Sequence, residues 1–116
     1  MLTIFHNPRC KKSREALQYL EAKGYPIEIV RYLDTPLQKD NLKEILNKIR
    51  IRPSEVVRKN EAQWKALENR NELSEEQILE ALVKYPKLIE RPLVMDSQSG
   101  VLARPLENLK LFLESR

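Results

Sequence analysis

Strand-forming sequence is confined to the two ends of this chain, and the stretch between them reads as helix. Leu2 to Phe5 is a short apolar strand, broken by Asn7-Pro8. A helix follows from about Cys10 or Ser13 to Lys23, with Ala16, Leu17 and Leu20 facing inward and Gly24 just past its end. Pro26 to Val30 is a second strand, in which Ile27 and Ile29 alternate with polar or exposed positions. A helix joining two strands brings them side by side in parallel. From about Leu37 to Tyr85 the pattern changes. Pro36 suits the first turn of a helix, and Leu42, Ile45, Leu46 and Ile49 form one apolar stripe. Pro53 opens a short piece holding Val56 and Val57. Ser74 and Gln77 make a capping-box pattern ahead of Ile78, Leu79, Leu82 and Val83. Strand character returns at Leu93 to Met95. The turn-rich segment Asp96 to Gly100 links it to Val101-Leu102-Ala103 as a hairpin. A last helix places Leu106, Leu109, Phe112 and Leu113 on one face. Trp64 and the tyrosines read as core or half-buried residues.

The order strand–helix–strand, helices, strand–strand–helix is that of an α/β, thioredoxin-like core. It predicts a mixed four-stranded sheet with a helical insertion. A length of 116 residues fits one domain spanning 1–116. Spanning a bilayer needs about 20 consecutive apolar residues, and no such run occurs. Met1 to Phe5 lacks the charged lead and long apolar stretch of a signal peptide. The expectation is a cytoplasmic protein with no membrane partner. No strong apolar stripe is left unassigned, which points to a monomer.

The net charge of +4, from 21 basic and 17 acidic residues, is mild. Much of it is mixed along helices, as in Lys39-Asp40 and Lys43-Glu44. There is no basic block, zinc-finger spacing or aromatic-rich strand, so a small anion fits better than a nucleic acid. One cysteine and one histidine exclude an internal disulfide and a Cys-rich metal site. A lone cysteine is either a small buried hydrophobe or a reactive thiol.

The neighbours of Cys10 bear on that choice. His6-Asn7-Pro8-Arg9-Cys10-Lys11-Lys12-Ser13-Arg14 lies between a strand and the start of a helix. Unpaired amides at a helix N-terminus carry partial positive charge and stabilise a thiolate. Arg9, Lys11, Lys12 and Arg14 act in the same direction, as does His6 if protonated. The same amides can hold an oxyanion. The ordinary alternative is that these cations dress a solvated helix end. Spacing separates two known chemistries. A low-molecular-weight tyrosine phosphatase places an arginine six residues after its cysteine, where this chain has Ala16. A dithiol oxidoreductase places a second cysteine three residues on, where this chain has Ser13. A monothiol acting on an anion, and discharged by an external thiol, fits both observations.

His-Asn-Pro-x-Cys-x-x-Ser-Arg, here His6 to Arg14, resembles the active-site loop of glutathione- and glutaredoxin-coupled arsenate reductases, the ArsC-like family. Further blocks follow in order: Tyr32-Leu33 with Pro36, Arg58-Lys59-Asn60, the stretch from Tyr85 to Val94 around Arg91-Pro92, and Arg104-Pro105. The resemblance implies that Cys10 attacks the arsenic of arsenate and that Arg58, Arg91 and Arg104 bind its oxygens. It implies that His6 and Ser13 tune the thiol, and that Pro92 is the cis-proline before the third strand. No bound cofactor or metal is implied. Glutathione enters as co-substrate and glutaredoxin as the reducing partner. Each arginine also has an ordinary structural use, at a helix end, before a proline or after a strand. Two other functions share the framework: an Spx-like regulator binding RNA polymerase, and a glutathione-dependent thiol reductase with another substrate. Ser13 argues against the Cys-x-x-Cys switch of many such regulators.

Overall fold

A computed structural model describes residues 1–35 and 37–116. The described residues form four strands, β1 (Leu2–Phe5), β2 (Ile27–Val30), β3 (Leu93–Met95) and β4 (Gly100–Leu102), and five helices, three of which lie between β2 and β3. The helices are α1 (Lys11–Ala22), α2 (Lys39–Ile49), α3 (Ala62–Lys65), α4 (Glu75–Lys84) and α5 (Leu106–Glu114). Short 3-10 turns occupy Pro53–Glu55, Arg70–Glu72 and Pro86–Leu88. Pro36, which the sequence assigns to the first turn of the second helix, lies outside the described residues. The chain forms two compact units, Met1–Thr35 with Arg91–Arg116, and Pro36–Glu90.

The first unit holds the sheet, in the order β2-β1-β3-β4. β1 and β2 are parallel, with Phe5 opposite Val30. β3 is antiparallel to β1, with Leu93 opposite Phe5, and β4 is antiparallel to β3, with Leu102 opposite Leu93. This is the mixed sheet the sequence predicts. The helix α1 makes the parallel crossover because Ala16 and Leu20 are fully buried against Leu2, Ile4, Val94, Ala103 and Leu109. Each buried leucine or isoleucine here contributes about 1.5–3 kcal/mol relative to exposure. Gly24 ends the crossover helix with φ +77, a conformation glycine adopts without steric cost. Ile29 departs from the alternating pattern: it is 46% exposed, whereas Ile27 packs on the core. β2 is an edge strand, and the core cluster does not extend to its far end. β4 begins at Gly100, one residue earlier than its apolar pattern suggests. Ala103 leaves the strand but stays buried, its N–H donating to the Pro92 carbonyl at 2.9 Å.

This register fixes what shares one end of the sheet. β1 ends at Phe5, β3 starts opposite it at Leu93, and β4 ends opposite Leu93 at Leu102. The loop after β1, the residues before β3 and those after β4 therefore gather at the same end. The turn after β2 joins them, since β2 runs parallel to β1.

In the second unit, α2 buries the Leu42, Ile45, Leu46 and Ile49 stripe. Its last carbonyls are closed by Arg50 at φ 65. α4 buries Ile78, Leu79 and Leu82 and starts with both halves of the capping box. Ser74 Oγ accepts from the Gln77 N–H at 3.2 Å, and Gln77 Oε1 accepts from the Ser74 N–H at 2.9 Å. Val56, Val57 and Trp64 are also buried. Val57 pairs with Ile89 in an isolated antiparallel bridge, too short to leave a strand pattern in sequence.

Candidate active site

The loop from His6 to Cys10 is built by its own backbone. The His6 N–H extends the β1–β2 ladder to the Val30 carbonyl at 2.8 Å. Asn7 is buried and folds the turn: its Oδ1 accepts the Arg9 N–H at 3.0 Å and its carbonyl accepts the Cys10 N–H at 3.0 Å. Asparagine suits this position because its short amide substitutes for a backbone acceptor. Cys10 is the N-cap of α1, with extended backbone, and its carbonyl takes the Arg14 N–H. Its half-buried thiol thus sits where the first amides of the helix point outward.

Opposing effects act on this thiol. Burial pushes it up. Hydrogen bonding to the Ser13 amide, the Arg91 guanidinium and the Lys12 amide pulls it down, and the net position is below the usual thiol range. Arg91 contends with its own partial burial, yet its bonds to Cys10 and Tyr32 favour the charged form. The cationic help therefore comes from Arg91, eighty-one positions further along the chain. The local cations are turned to solvent: Arg9, Lys11, Lys12 and Arg14 are exposed. Arg14 Nη1 donates to the Pro8 carbonyl at 3.0 Å, and Lys12 faces Glu15 at 3.9 Å.

His6 and Ser13 form a buried pair beneath the thiol loop. His6 Nδ1 and Ser13 Oγ lie 2.6 Å apart, and the same hydroxyl accepts the Asn7 N–H at 3.1 Å. Burial, with Arg31 and Arg14 nearby, lowers the His6 pKa despite the opposing charge of Glu21. The protonated His6 considered from sequence gives way to a neutral ring, whose Nδ1 can accept the Ser13 O–H. Its service is to hold the loop, not to add charge.

The three arginines fall in different settings. Arg91 bonds the Cys10 sulfur and precedes a cis peptide to Pro92, as the resemblance implies. Arg104 follows β4 at the same end of the sheet and also precedes a cis-proline, Pro105, which the sequence did not signal. Its carbonyl accepts from Asn108 Nδ2 at 3.1 Å. Arg58 belongs to the second unit. Its N–H donates to the Leu88 carbonyl at 2.7 Å and its guanidinium meets Glu61 at 3.2 Å. Tyr32 and Asn7 are site neighbours that the residue-level reading missed. Asn7 stood inside the recognised motif, whereas only the parallel strand pairing brings Tyr32 in. Among the described residues no three His, Cys, Asp or Glu side chains cluster as a metal site. Among them, too, no helix is long and apolar enough to cross a membrane.

A mixed β2-β1-β3-β4 sheet, a cysteine capping the first helix and a cis-proline leading into β3 define the thioredoxin-like class of α/β proteins. Within that class, residues 5–112 match the ArsC family, and the chain belongs to it. It is 41% identical over 115 residues to the arsenate reductase of Neisseria meningitidis serogroup A, covering 97% of each chain. An arsenate reductase of Escherichia coli is 30% identical over 107 residues, which are 91% of this chain and 76% of that one. The solved arsenate reductase from Vibrio cholerae superposes with a TM-score of 0.87 at 32% identity, over 94% of this chain and 95% of that chain.

Proposed function

We propose that this protein reduces arsenate to arsenite through a covalent adduct on Cys10, with glutathione and glutaredoxin supplying the electrons. The observation that carries the reading is the Cys10 thiol, capped by the Ser13 and Lys12 amides and bonded by Arg91. Arsenate is an anion near neutral pH and so is a thiolate, so their approach needs fixed cations. Guanidinium groups suit the task because they stay charged and donate paired bonds to tetrahedral oxyanions. Arg91 stands at the sulfur, and Arg104, at the same end of the sheet, is its proposed companion on the substrate oxygens.

The Cys10 sulfur displaces one arsenate oxygen, which leaves as water after taking up two protons. Arsenic stays pentavalent in this thioarsenate. Glutathione thiolate displaces a second oxygen in the same way. The glutaredoxin thiolate then takes the glutathionyl sulfur as a mixed disulfide. The electron pair of the broken sulfur–arsenic bond stays on arsenic, which becomes trivalent. Water releases arsenite and returns the Cys10 thiol. Because Cys10 is the only cysteine, no second thiol of this chain can resolve the adduct.

The test is arsenate-dependent NADPH oxidation coupled through glutathione, glutaredoxin and glutathione reductase. Turnover that disappears in Cys10→Ser, with the far-ultraviolet circular dichroism unchanged, is the expected result. Equal rates in the two proteins would remove Cys10 from the mechanism.

A further inference from the structure

Tyr32 reads from sequence as a core aromatic, and it is only 1% exposed. Its setting gives it a second use. It stands two residues beyond β2, in a turn where the Asp34 and Thr35 N–H groups both donate to the Arg31 carbonyl at 3.0 Å. An ion pair between Arg31 and Asp34, at 3.2 Å, spans the same turn. With Val30 opposite Phe5 in the parallel ladder, this turn lies at the sheet end that carries the Cys10 loop. A buried phenol keeps its hydroxyl satisfied by a polar partner. The Arg91 guanidinium, whose charged form both Cys10 and Tyr32 favour, is the polar group this hydroxyl is placed to serve.

A guanidinium is a rigid planar fork on a long flexible stem. Fixing one of its N–H groups fixes the direction of the others. We propose that Tyr32 is a positioning residue of the site, its buried hydroxyl holding the Arg91 guanidinium against the Cys10 sulfur. The inference rests on the reading of Cys10 as nucleophile beside Arg91, and it adds a residue that acts on the sulfur only through that arginine. Without the hydroxyl the guanidinium swings over more orientations, and the thiolate loses part of its partner. The donors of Arg91 that face an incoming oxyanion lose their alignment by the same motion.

The test needs no arsenate, so it can fail while the reductase reading stands. Cys10 ionisation is followed by thiolate absorbance, and by pH-dependent alkylation with iodoacetamide, in the full chain, Tyr32→Phe, Arg91→Gln and the double variant. Phenylalanine keeps the ring and removes only the hydroxyl. The expected result is an upward shift of the Cys10 midpoint in Tyr32→Phe, by about threefold in the ionisation constant, the scale of one hydrogen bond. The same substitution in the Arg91→Gln background should move the midpoint less than about 1.5-fold, since coupled residues are non-additive. An unmoved midpoint in Tyr32→Phe, or an equal shift in both backgrounds, would overturn the proposal. Should a variant fail to fold, arginine side-chain NMR of the unaltered chain decides. A restrained Arg91 Nε–H with a cross-peak to the Tyr32 ring supports the assignment, and a freely rotating guanidinium refutes it.

Discussion

The two units of this chain handle polar groups in opposite ways. In the helical unit Pro36–Glu90, the buried side chains are apolar: Leu42, Ile45, Leu46, Ile49, Val56, Trp64, Leu79 and Leu82 among them. Charges there pair at the surface, as where Lys39 meets Glu76 and Glu80. In the sheet unit, the buried polar side chains of the described residues fall together: His6, Asn7 and Ser13. All three flank Cys10. Taking a hydroxyl, an amide and an imidazole out of water costs free energy that hydrogen bonds only partly offset. An apolar core would serve stability better. The contrast teaches that the sheet unit spends burial on fixing the surroundings of one thiol, and the helical unit spends it on packing.

Four substitutions sharpen or break that contrast. The largest effect should come from cavities. Leu20→Ala in the sheet unit and Leu82→Ala in the helical unit each remove a fully buried side chain. Urea titration should show each lowering the unfolding free energy by about 2–5 kcal/mol. A loss below about 1 kcal/mol in either would mean that its unit is not packed as described. Ser13→Ala comes next. It leaves the His6 ring and the Asn7 N–H without their shared hydroxyl, which should cost about 1–3 kcal/mol and raise the Cys10 alkylation midpoint as the loop loosens. Ser74→Ala should cost about 1 kcal/mol through the lost cap and leave that midpoint where it was. If the two serine variants behave alike, the division of labour between the units is wrong.

Much of the architecture is legible in the residues. The β1 and α1 patterns, the α2 stripe and the Ser74–Gln77 box carry local periodicity or a fixed offset, and such signals need no tertiary information. Ile29 misleads because alternation cannot say that a strand lies at the edge. Arg50 adopts a left-handed conformation normally left to glycine, so nothing in its identity marks the end of α2. At the site, Cys10, Ser13 and His6 stand out because a loop motif places them before a helix. What sequence misjudged was the source of charge. Nearby Arg9, Lys11, Lys12 and Arg14 look decisive on paper, yet they point to water. Arg91 reaches the thiol, and Tyr32 the sheet end that carries it, through strand register, a long-range property. The neutrality of His6 likewise follows from burial, which the residue name does not disclose.

The central claim is that the fold makes the Cys10 thiol more acidic than it is in the unfolded chain. Lowering a thiol pKa on folding has a defined thermodynamic sign. The unfolded chain binds the proton more tightly, so this group's stabilisation is present above the unfolded pKa and is lost as pH falls through the folded one. The most direct measurement is the pH dependence of iodoacetamide alkylation of Cys10 in the native chain, with the urea-unfolded chain as reference. The account predicts a native midpoint clearly below both the unfolded one and the ordinary thiol value of about 8.5. A native midpoint at or above that of the unfolded chain would contradict it.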